Sequence, residues 1–116
     1  MDIEQLKAVG GSEWRSGDGA KHRVYFSDLT IWRGLRAEYY NSGRVHRATC
    51  GGERISNTDA NAMIGRLAGA KVYYDVADAK FRGDRIGRDD FSEIVQAIRA
   101  KLARMAVQVP AAFLAS

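Results

Sequence analysis

Residues 39–56 read YYNSGRVHRATCGGERIS, and the way this stretch pairs decides the fold. Asn41-Ser42-Gly43 is a turn signal, because all three residue types tolerate the tight or left-handed backbone that a reversal needs. On its N-terminal side, Leu35, Ala37 and Tyr39 alternate with Arg36, Glu38 and Tyr40, which is the two-residue period of a strand. On its C-terminal side a return arm runs from Arg44 to Cys50, and Gly51-Gly52 turn it into a short piece through Arg54 and Ile55. The expectation is a meander of two or three strands. In this register Arg36 and Tyr40 share one face of the first arm, and Arg44 and His46 share one face of its neighbour.

Working outward, the period changes at Ser56. Ser56 and Asp59 form a capping-box pattern ahead of Ala60, Met63, Ile64 and Leu67 at helical spacing, and Gly69 closes the helix. AKVYYDV (70–76) then alternates Val72, Tyr74 and Val76 with Lys71, Tyr73 and Asp75, and ADAKF (77–81) returns as a partner arm. Asp90, with Glu93 three residues on, opens a further helix striped by Phe91, Ile94, Val95, Ile98, Leu102 and Met105. Its Arg99, Lys101 and Arg104 read as a solvated face near the negative end of the helix dipole. The tail at 107–116, with the only proline at Pro110, is expected to be flexible. Upstream, Asp2 caps a short helix through Ile3, Leu6 and Val9 that stops at Gly10-Gly11. A hairpin follows, with one arm at Trp14, a Gly17-Asp18-Gly19 turn and an arm from Lys21 to Phe26. Ser27 caps a connector helix through Leu29, Trp32 and Leu35. The elements predict one α+β domain over 1–116, an antiparallel sheet of about five to six hairpin strands with the two main helices on one face.

The bulk properties fit that reading. A chain of 116 residues builds one domain, and 46% apolar with 28% charged residues is the composition of a globular protein rather than a disordered one. No apolar run approaches the roughly 20 residues of a membrane span, and Asp2 and Glu4 stand where a signal peptide carries positive charge. The single Cys50 makes no internal disulfide, so a reducing cytoplasm is expected. The net charge is +4, and the whole of it is matched by the segment from Trp14 to Arg54, where eight Lys or Arg meet four acids. Arginine outnumbers lysine 13 to 5, which suits forked recognition of phosphate or carboxylate, although a GC-rich genome gives the same bias.

Enzyme chemistry finds little support. His46 and Cys50 lie four strand residues apart, about 13 Å, far beyond the roughly 3 Å at which a base activates a thiol. His22 could reach Cys50 only across the sheet, so a small hydrolase built on that pair ranks third. Two histidines and one cysteine form no metal-site spacing, and no cofactor motif is present: GRLAGAK (65–71) ends a helix where a phosphate loop begins one. Asp89-Asp90 reads as helix capping. Tyr25, Tyr39, Tyr40, Tyr73 and Tyr74 interleaved with arginine are the residue types that hold single-stranded nucleic acid, while tyrosine also favours strands for packing alone.

The order W…RVYF (14–26), GL…YYNSG (34–43), GGERISN (51–57) and AKVYYD…KF (70–81) resembles small single-domain proteins of unassigned function encoded by phages and integrated mobile elements. The resemblance spans roughly residues 11 to 85. It implies a setting in which such proteins act on nucleic-acid machinery, including as anti-CRISPR-type inhibitors, and brings no catalytic residues with it. The expected function is therefore non-enzymatic binding of nucleic acid, or of a host nucleic-acid-handling complex, through Arg23, Arg36, Tyr40, Arg44, His46 and Arg47. The alternative is a protein–protein inhibitor of a host defence machine, for which exposed arginine and tyrosine are equally apt. Homodimerisation stays open, and no membrane partner is expected.

Overall fold

The computed structural model describes the chain through Ala115; Ser116, and the side chains of Leu29 and of 106–115, lie outside the described residues. The expectation of a flexible 107–116 falls on that outside set. The architecture is α+β, with two antiparallel sheets in place of the single sheet expected. Helix α1 spans Ile3–Ala8, capped by Asp2, whose Oδ1 accepts from the Glu4 amide at 2.8 Å. Strands β1 (Ser12–Arg15) and β2 (His22–Tyr25) form the first hairpin. A 3-10 turn at Leu29–Ile31 leads to β3 (Arg36–Tyr39), β4 (Val45–Cys50) and β5 (Glu53–Ile55). Helix α2 (Asn57–Arg66) follows, then β6 (Lys71–Asp75), β7 (Lys80–Asp84) and helix α3 (Arg88–Ala115).

The four-stranded sheet has the order β1-β2-β6-β7 and the three-stranded sheet the order β3-β4-β5. They separate because β2 pairs with β6, Val24 opposite Tyr74, and so has no edge left for β3. Trp32, 1% exposed, pins the intervening turn in the core. Arg33 and Gly34 then take left-handed backbone (φ 59° and 66°), which swings the chain out into the second sheet. A Cβ on Gly34 would lie 3.0 Å from the Gly51 amide, so the return of β4 passes against this corner.

One face of the larger sheet is buried. Val24, Phe26, Val72 and Tyr74 pack against Leu6 of α1, against Val9 just after it, and against Ile94, Val95 and Ile98 of α3. The three-stranded sheet has its own small core, in which Val45 and Ala48 meet Ala60 of α2, with Ala37, Ile55 and Ile64 around them. Helix α3 thus covers the larger sheet and α2 backs the smaller one, rather than the two lying together on one face, while Met63 and Ile64 of α2 also reach the larger core.

Two helix entries also differ from expectation. Asp28, not Ser27, caps the 3-10 turn, its Oδ1 accepting from the Thr30 amide at 2.9 Å. Asp90 and Glu93 do not form a capping box, because α3 begins at Arg88. Asp90 sits in the first turn, 8% exposed, and pairs with Arg66 of α2. Glu93 accepts from the Trp32 indole N–H at 2.6 Å and from Arg33 Nε at 2.9 Å. With Arg33 and Arg66 also over the Trp32 ring, at 4.9 and 5.2 Å, this network fastens α3 and α2 to the corner that feeds β3. Arg33 above all, and the indole as well, hold the Glu93 carboxyl below the ordinary glutamate range.

Candidate functional site

The candidate site lies on the outer face of the three-stranded sheet, the side turned away from α2. The hairpin that builds it reverses at Tyr40–Gly43, where the Gly43 amide donates to the Tyr40 carbonyl at 2.9 Å and the Tyr40 amide to the Arg44 carbonyl at 2.8 Å. Gly43 closes the turn at φ 87°, a backbone conformation open to glycine at little cost. Arg36 then pairs with Thr49, Ala37 with Ala48 and Glu38 with Arg47, but Tyr39 pairs with Val45. One residue of β4, His46, is therefore extra: a β-bulge.

The bulge changes what the face presents. Strict alternation would put Arg47 on the side opposite His46, whereas exposure along Val45-His46-Arg47-Ala48 runs buried, exposed, exposed, buried. Val45 and Ala48 both point to Ala60, and His46 and Arg47 both face outward opposite Glu38. The helix holds this kink, since Asn57 Nδ2 donates to the His46 carbonyl at 3.4 Å. The His46 ring rests 4.6 Å from the Tyr40 ring, at 51° to it.

Arg36, Arg44, Arg47 and Arg54 are consequently gathered on one exposed face, with Glu38 as the acid among them. Arg36 and Arg54 flank Thr49 across the three strands, about 10 Å apart at two interstrand spacings. Among the described residues none of these four guanidinium groups joins an ion pair; the pairs that form use Lys7, Arg15, Arg33, Arg66 and Arg82, and His22. Unpaired, exposed arginine keeps all five donors for an external anion.

Five of the six residues singled out in the sequence thus come together, and Arg23 does not. Arg23 sits on the open face of the four-stranded sheet, donating to the Tyr25 hydroxyl at 2.9 Å, with its guanidinium 4.5 Å from the Tyr73 ring centre and 5.7 Å from that of Trp14. The Tyr25 hydroxyl pushes the Arg23 guanidinium above the ordinary arginine range. Sequence reasoning missed three residues. Arg54 joins the basic face through its pairing opposite Thr49, and Trp14 and Tyr73 complete the aromatic cluster around Arg23. The period-2 pattern carried the signal for each, once the pairing of the strands is known.

The nucleophile reading loses its geometry. His22 Nε2 lies 2.6 Å from Glu13 Oε2 in the larger sheet, while the Cys50 thiol lies 3.7 Å from the Met63 sulfur beneath the smaller one. Among the described residues no group of three or more His, Cys, Asp or Glu could hold a metal ion, and no helix is long and apolar enough to cross a membrane. Comparisons of the chain with family models, with curated proteins and with solved structures gave no match.

Proposed function

We propose that this protein is a binding protein that engages nucleic acid, or the nucleic-acid-handling complex that carries it, through the outer face of the β3-β4-β5 sheet. One observation carries the reading: four arginines, Arg36, Arg44, Arg47 and Arg54, share an exposed face without ion-pair partners among the described residues. Arg33, Arg66 and Arg82 have acid partners, whereas Arg99 and Arg104 of α3, like the four, have none among the described residues; what marks the four is that they gather on one face of one small sheet. A face that gathers cations against a single Glu38 accepts mutual repulsion, and an anionic partner relieves it. Cations carried about 10 Å apart across the strands can meet separate phosphates of an extended polyanion.

The test is charge reversal. Arg44→Glu with Arg47→Glu should reduce nucleic-acid binding at least 100-fold and shift the melting temperature by less than about 4 °C, because exposed unpaired side chains each contribute within about 0.5 kcal/mol to stability. Intact binding by a folded double variant refutes the proposal. A second reading has its own observation. The Trp14–Arg23–Tyr25–Tyr73 cluster, with Trp14 41% exposed, carries the residue types that dominate protein–protein hot spots, and would suit inhibition of a defence complex of the anti-CRISPR kind. That reading requires partner binding that Trp14→Ala abolishes and the arginine reversals leave alone.

A further inference from the structure

We infer that the ligand of the basic face is single-stranded nucleic acid, with Tyr40 as the platform on which one unpaired base stacks; this rests on the reading of that face as a nucleic-acid surface. Tyr40 is 55% exposed although it stands at the tightest point of the hairpin, where both its backbone groups are bonded. Its ring is not free to lie flat against the sheet, because the His46 ring occupies the adjacent space at 4.6 Å and the bulge fixes His46 in place. One side of the phenol is therefore propped and the other is open to solvent. A rigid exposed ring bordered by arginine is what splayed bases stack on, a use that depends on the flat face of a base and not on its sequence.

Arg44, just ahead of β4, and Arg47 within it lie within one or two residues of His46. A strand laid over Tyr40 would bring the phosphates on either side of the stacked base to these two guanidinium groups, while Arg36 and Arg54 continue the track across the sheet. Duplex gains less from the same surface, since its phosphates can meet the arginines but Tyr40 has nothing to stack on. Paired bases offer no free face, and reading duplex through the major groove, about 12 Å wide, needs a ribbon or helix that can enter. Here α2 backs the hairpin as far as Val45, close to the turn, and a helix of about 10–12 Å diameter laid on a strand pair exceeds the groove.

The experiment is fluorescence anisotropy with a labelled mixed-sequence single strand and with the matching duplex, for the wild type, Tyr40→Ala, Tyr40→Phe and the Arg44→Glu/Arg47→Glu pair. The wild type should bind the single strand at least 10-fold more tightly than duplex. Tyr40→Ala should weaken single-strand binding by about 5- to 100-fold, the worth of one base–ring stack, with the salt dependence unchanged. Tyr40→Phe should keep wild-type affinity, since stacking needs the ring and not the hydroxyl. Equal affinity for single strand and duplex, with Tyr40→Ala neutral and the arginine reversal still damaging, overturns this inference and leaves the basic-face reading intact. Reversal without effect on either ligand overturns both.

Discussion

Removing the Glu93 carboxylate should do more harm than its place on the helix surface suggests. The residue takes two donors: the Trp32 indole N–H, at 2.6 Å, and Arg33 Nε, at 2.9 Å. Trp32 is 1% exposed, so in Glu93→Ala its N–H is left without a partner in a site that water barely reaches, at a cost of about 1–3 kcal/mol. The Arg33 pair adds little, because its side chains are 45% and 41% exposed and such pairs are worth about 0.2–1 kcal/mol. Together the loss is about 1–4 kcal/mol. For 116 residues the entropy of unfolding is about 0.24 kcal/mol/K, so the melting temperature should fall by about 5–16 °C. Glu93→Gln keeps an acceptor for the indole and loses only the charge, and should cost under about 4 °C by the same conversion. Thermal unfolding followed by near-UV circular dichroism, which senses Trp32 directly, reads both variants. A Glu93→Ala protein that melts within about 3 °C of wild type, or a Glu93→Gln protein that falls as far as the alanine variant, refutes the network as the anchor of the corner between the sheets.

Two further outcomes follow from the packing and the charges. In Gly11→Ala the new methyl would collide with Val24 Cγ1 and lie 2.8 Å from the Leu6 carbonyl oxygen; overpacking of this kind costs about 1–3 kcal/mol, and denaturant titration should show the midpoint falling with little change in slope. Acid should weaken the fold in a defined window. Glu93 and Asp75 are held below their ordinary values of 4.5 and 3.8, Glu93 first by Arg33 and Asp75 first by the Asp78 amide. Carboxyls depressed in the folded state contribute stability above those values and lose it as pH falls through them, so melting temperature should drop from pH 5 toward pH 3, and less steeply in Glu93→Gln.

What the sequence shows about this fold is what depends on neighbours along the chain. Ser56 caps α2 by accepting from the Asp59 amide at 3.0 Å, Asp2 caps α1, and the hairpins turn at Gly17-Asp18-Gly19 and Asn41-Ser42-Gly43 because those residues allow little else. What it hides is pairing between distant segments. Nothing local says that β2 prefers β6 to β3, and that choice divides one sheet into two. Glu93 shows the same limit: three residues after Asp90 it imitates a capping box, yet its partner Trp32 is 61 residues away. At the site, alternation alone places Arg36, Tyr40, Arg44 and His46. The bulge that turns Arg47 to the same side is written only in the spacing of Val45 and Ala48, two apolar residues with two polar ones between them. Composition alone groups Arg23 with the others, and the sheet boundary separates it from them.

The salt dependence of single-strand binding tests the central claim most directly. Each neutralised phosphate contributes about −0.7 to the slope of log affinity against log salt, so the four arginines of the face set a slope near −3, and at most about half that in the Arg44→Glu/Arg47→Glu protein, where two cations are lost and two acids added. Between 50 and 200 mM salt the wild type should lose about 50-fold in affinity. A slope near zero, or one that the double reversal leaves unchanged, would mean that these guanidinium groups do not meet phosphate.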